Sequence, residues 1–94
     1  MTTTADPDND HYDDDTYRAV LGRRIRILRV AGGLSQQDLA DQAHVTRNYI
    51  SAIERNTQGL DLVRLRRLAH ALGVPLADLI NDNPNPLYLV PAVP

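Results

Sequence analysis

Apolar residues recur between residues 17 and 80 at spacings of three and four, the repeat of helices that each bury one face. Leu21, Ile25 and Leu28 mark a first helix over residues 17–30, with Thr16 or Asp15 as its N-cap and Gly32-Gly33 as its left-handed stop. A second starts at Ser35, with Asp38 three residues on as a capping-box partner, and buries Leu39, Ala40 and Ala43. Ala40 is small where two helices would cross closely. A turn carrying Val45 leads to a third helix over residues 47–55, capped by Thr46, with Ile50 and Ile53 inward. Asn56 then follows, a residue that tolerates the left-handed backbone of many helix ends. Asp61 caps a fourth helix whose stripe is Leu62, Leu65, Leu68, Ala69 and Leu72; Gly73 and Pro75 end it. Pro75 also suits the start of a short fifth helix over residues 76–80, with Leu76, Leu79 and Ile80 on one side. No strand partner is evident. The pattern is that of an all-α domain of five short helices.

The flanks read differently. Residues 1–15 are polar, Asp-rich and poor in apolar side chains, so they cannot offset the entropy of ordering and are expected to be a disordered acidic tail. Residues 16–81 form the expected domain. Residues 82–94 hold four of the six prolines and form a Pro-rich tail. Within that tail, residues 87–90 (Leu-Tyr-Leu-Val) are an apolar patch, either docked on the body or part of a self-association surface.

The outward face of the third helix carries Arg47, Asn48, Ser51, Ala52 and Arg55, with Tyr49 at its edge. Arg and Asn bond bidentately to guanine and adenine edges, and no acid on that face repels phosphate. Glu54 falls on the inward side, between Ile50 and Ile53. Two amphipathic helices joined by a short turn, the second with such a face, have the layout of a helix-turn-helix.

The stretch resembles the Cro/C1-type (lambda-repressor-like, Xre) helix-turn-helix family. The matching residues are Leu34 to Ala40, Val45-Thr46-Arg47, Ile50 to Arg55, Leu65, Leu68-Ala69 and Ala71 to Val74, and the resemblance covers roughly residues 18–81. It implies a compact five-helix DNA-binding domain. Arg47 and Asn48 are then expected to contact bases, with Ala52 against a thymine methyl or merely a space-maker, and Tyr49 on DNA or over the core edge. Gln36 matches a residue that reaches phosphate and braces the recognition helix. Thr46, Arg55, Thr57 and Gln58 are backbone-contact candidates from their position around the third helix, their alternative being ordinary capping and loop chemistry. The resemblance also pairs Glu54 with Arg29 as a structural ion pair. Two positions depart from the family's pattern: His44 stands where Gly usually makes the turn, and Leu60 where Pro often precedes the fourth helix.

Charge and composition fit this reading. The net charge of −2 hides an asymmetry, because residues 1–16 hold six Asp and no basic residue, whereas residues 17–94 hold all ten Arg against six acids. The folded part is therefore basic, which suits a nucleic-acid partner. There is no cysteine, hence no disulfide and no thiolate metal site. Asp6 to Asp10 looks like the opening of a calcium loop, but His11 and Tyr17 stand where Gly and Glu are needed. The histidines at 11, 44 and 70 show no ligand spacing. Neither a phosphate-binding Gly loop nor a nucleophile–base set is found, so no enzyme activity, cofactor or metal is expected. No apolar run approaches the roughly 20 residues of a membrane span, and the acidic start is not a signal peptide, so a cytoplasmic protein is expected.

The expected function is that of a sequence-specific transcriptional regulator, a homodimer on double-stranded DNA with Leu76, Leu79 and Ile80 at its interface. Within the family, phage repressors and restriction–modification controllers are the small stand-alone types it resembles. The rival is a protein-interaction module, an antitoxin or scaffold using the same fold.

Overall fold

The computed structural model describes residues 13–56 and 60–82. The described residues form five helices and no strand: α1 (Asp14–Ala31), α2 (Gln36–Ala43), α3 (Arg47–Glu54), α4 (Leu62–Leu72) and α5 (Leu76–Leu79). Thr57 and Gln58, and residues 87–90, lie outside the described residues.

Local chemistry sets most of the boundaries. The Asp13 carboxylate accepts the Thr16 N–H, so α1 starts three residues before the expected Tyr17, within the segment read as tail. Asp14 and Asp15 then sit in its first turn, where carboxylates offset the positive end of the helix dipole. Ser35 and Asp38 form the reciprocal capping box of α2. Hydrogen bonds from the Ser35 backbone N–H and then its hydroxyl hold the Asp38 carboxyl below its ordinary pKa. Thr46 and Asp61 accept the Tyr49 and Arg64 N–H groups at the starts of α3 and α4.

Three helices end with a left-handed residue that lets two backbone N–H groups fold back on the last carbonyls. After α1 the bonds run from Gly33 to Val30 and from Leu34 to Arg29; after α4, from Gly73 to His70 and from Val74 to Ala69. After α2 the left-handed residue is His44, at φ 58°. Val45 N–H still reaches the Ala40 carbonyl there, at 3.0 Å. The turn is thus closed in the ordinary way, at a strain of about 1 kcal/mol for a side chain in this region. Asn56, also at positive φ, follows α3.

The core gathers the expected stripes: Leu21, Ile25 and Leu28 from α1, Leu39, Ala40 and Ala43 from α2, Ile50 and Ile53 from α3, and Leu65, Leu68 and Ala69 from α4. α2 packs on α3 and α4, α1 on α3, and α5 bridges α4 and α1. Gly22 allows the α1–α3 contact: a Cβ there would lie 2.3 Å from the Ile53 carbonyl oxygen. Only a residue without a side chain lets these two backbones approach so closely.

Two placements correct the sequence reading. Leu79 is not an interface residue. It is fully buried in the protomer's own core, whereas Leu76 and Ile80 pack against that core and stay partly exposed. One short helix uses its deepest apolar residue to close the bottom of the domain. The second concerns Arg24, counted only in the basic balance of the folded part and found fully buried. Its guanidinium donates to the carbonyls of Leu79 and Asn81, the latter at 3.0 Å, and the Tyr17 hydroxyl donates to the Ile80 carbonyl. Side chains of α1 therefore satisfy carbonyls at the C-terminal end of α5, which has too few residues to do so itself.

Candidate nucleic-acid interface

α2, its turn and α3 form the helix-turn-helix. The hydrophobic positions of α3 commit Ile50 and Ile53 to the core, and this turns Arg47 and Asn48 outward in its first turn, both exposed. Ala52 lies one turn on from Asn48 and is half-buried. Arg55 caps the C-terminal end of α3, exposed, with its guanidinium donating to the Ser51 hydroxyl. Thr46 is exposed, but its hydroxyl is engaged as the N-cap of α3.

Tyr49 does not share that outward face. It is 7% exposed and belongs to the core. Its hydroxyl is shielded from solvent. Arg64 of α4 covers the ring, with Cζ 4.9 Å from the ring centroid. Burial pushes the hydroxyl above its ordinary pKa, against the opposing pull of the Arg64 charge. Of the two places expected for Tyr49, on DNA or over the core edge, the ring occupies the core edge, where it finds more apolar surface beneath α4 than on the solvent face.

The angle of α3 is set by a polar node where three helices meet. Arg29 of α1 donates from Nε to Glu54 Oε2 at 2.7 Å and from Nη2 to Oε1 at 3.1 Å. Its Nη1 donates to the Leu34 carbonyl at 2.8 Å. Gln36, at the first turn of α2, donates from Nε2 to Glu54 Oε1 at 3.1 Å. The Arg29 and Glu54 side chains are 11% and 4% exposed. The bidentate hydrogen bond that Arg29 donates to Glu54 raises the Arg29 pKa above its ordinary value. Glu54 is thus occupied at the base of α3, and its charge is neutralised away from the exposed face.

One wall of the site was not legible in the sequence. Asn48, Ala52 and Arg55 of the helix-turn-helix share a concavity of about 760 Å³ with Arg64 and Arg67 of α4. Arg64 and Arg67 lie three apart on one helix, a spacing that also fits an ordinary solvated face. Nothing in the sequence places that face beside α3.

Among the described residues no group of His, Cys, Asp and Glu could hold a metal ion, and no helix is long and apolar enough to cross a membrane.

A bundle of five helices whose third helix carries an exposed Arg and Asn defines a helix-turn-helix protein. The sequence model of the helix-turn-helix family matches residues 25–79. This chain belongs to the Cro/C1-type helix-turn-helix family. It is 40% identical over 68 residues to a hypothetical transcription factor of Neisseria meningitidis serogroup B, covering 72% of this chain and 64% of that protein. It is 35% identical to the control protein C.BamHI of Bacillus amyloliquefaciens, covering 68% of this chain and 80% of that one. The crystal structure of the restriction–modification controller protein C.AhdI from Aeromonas hydrophila superposes with a TM-score of 0.64 at 37% identity, covering 66% of this chain and 94% of that one.

Proposed function

We propose that this protein is a sequence-specific DNA-binding transcriptional regulator that acts by occupancy in the cytoplasm, without performing chemistry. The observation that carries the reading is the exposed Arg47-Asn48 pair at the start of α3, on a helix whose own acid is drawn inward by Arg29. α3 lies in the major groove, Arg47 and Asn48 meet base edges, and Ala52 meets a thymine methyl. The N-terminus of α2, at Gln36, offers its free N–H groups to phosphate. Thr46 and Arg55 flank the groove. The likeness to the controller proteins C.BamHI and C.AhdI supports a regulatory role, and a two-fold dimer requires an operator with two half-sites.

The test begins with selection of bound duplexes from a random pool. Arg47→Ala is expected to cost roughly 1–3 kcal/mol on the selected duplex and to relax preference at one base pair per half-site. Equal losses on selected and random duplexes would reduce Arg47 to a phosphate contact.

The working species is proposed to be a two-fold homodimer. Leu79 is spent in the core, so the interface falls to the partly exposed Leu76 and Ile80 of α5. Leu76 lines a shallow concavity with Ala69 and Val74, edged by Arg66, Arg67 and His70 of α4. A dimer would set two copies of α3 about 34 Å apart, one DNA turn. Sedimentation at micromolar concentration should show the dimer. A monomer that binds a single unrepeated site with full affinity would overturn it.

A further inference from the structure

We infer that α4 supplies a second set of DNA contacts: Arg64 and Arg67, with Arg55, form a phosphate clamp beside the recognition helix. The inference rests on the DNA-binding reading above and adds to it a contact surface outside the helix-turn-helix.

Three observations carry it. The three arginines line one concavity together with Asn48 and Ala52, so a strand flanking bases read by α3 passes along the wall they make. None of the three forms a salt bridge with a carboxylate among the described residues, whereas Arg29 does. Among the described residues no acidic side chain lines the concavity. The nearest acid on the same helix, Asp61, spends its carboxylate as the N-cap on the Arg64 N–H. Guanidinium groups that line one concavity without a carboxylate partner repel one another unless an anion is shared between them, and phosphate is the anion that matches their fork.

Arg64 is also held in place. Its guanidinium lies over the Tyr49 ring, and Tyr49 is itself fixed in the core on α3. A guanidinium stacked on a fixed ring is already ordered before DNA arrives. Tyr49 thereby couples the clamp on α4 to the helix that reads the bases. The aromatic ring contributes to binding through Arg64 and not through its own hydroxyl.

The experiment measures binding to a selected duplex and to a random duplex across a salt series, for the wild type, Arg64→Gln, Arg67→Gln and the double variant. Each single variant should bind both duplexes less tightly by the same factor, on the order of tenfold near 0.1 M salt. The double variant should lower the slope of log K against log salt by about 2, at about 0.9 for each phosphate lost. Arg64→Lys keeps the charge and loses the stacked plane, so it should recover the salt slope but not the full affinity. Melting temperatures of all variants identify any loss that comes from unfolding, and Arg67→Gln, which touches no aromatic ring, keeps the test independent of the Tyr49 stack. An unchanged slope in the double variant, with the wild type binding normally, would overturn the clamp alone. A changed ratio between selected and random duplexes would also overturn it, because the arginines would then be reading bases. A wild type that binds no duplex at low salt would overturn the DNA-binding reading and the clamp together.

Discussion

Leu79→Asp is expected to unfold the domain rather than separate a dimer. Leu79 is fully buried at the junction of α5 with α1 and α4. Truncating a buried leucine alone costs about 2–5 kcal/mol, and an unpaired carboxylate at the same place adds its own desolvation penalty. A domain this small has a net stability of only several kcal/mol, so the substitution consumes nearly all of it. The effect should spread, because α5 is held partly by side chains of α1, Arg24 and Tyr17, that grip its last carbonyls. Circular dichroism should show loss of helix at 25 °C, with no cooperative melt. A folded variant melting within a few degrees of the wild type would mean that Leu79 is reached by solvent in the native protein.

Replacing Glu54 alone should be the second severe change. Glu54→Leu leaves the Arg29 guanidinium nearly buried with one hydrogen bond to the Leu34 carbonyl and no counter-charge. Breaking one partner of such a pair costs about 3–5 kcal/mol, whereas replacing both by apolar side chains is often close to neutral. The double variant Arg29→Met with Glu54→Leu should therefore be markedly more stable than Glu54→Leu. Urea unfolding of the wild type, both singles and the double closes the cycle. A loss below about 1 kcal/mol for Glu54→Leu would place the pair in the class of solvated surface bridges. The double variant should still bind DNA less well, because Gln36 loses the carboxylate that ties α2 to α3.

The helix pattern was legible because its causes are local. Capping at Ser35, Thr46 and Asp61, left-handed exits at Gly33, Asn56 and Gly73, and apolar spacing of three and four act within a few residues. The start of α1 was misplaced because Asp13, Asp14 and Asp15 are alternative caps in one acidic run, and composition alone reads that run as tail. Arg24 carried a signal that passed unread. It stands on the same face as Leu21, Ile25 and Leu28, an arginine at a core position, and such a residue is buried only with partners.

The sequence by itself determined the five helices, the inward stripes and the outward Arg47-Asn48 pair, and through its resemblance the Arg29–Glu54 bond. Each follows from local periodicity and capping or from a shared motif. Only the tertiary structure decided which side of each element faces which neighbour. It placed Tyr49 beneath Arg64 instead of on the outward face of α3, set Leu79 in the core, and brought Gly22 so close to Ile53 that no side chain fits. It also set Arg64 and Arg67 beside α3. These outcomes depend on long-range packing: a half-apolar residue goes to whichever surface buries it best, and that surface is made by segments distant in the chain.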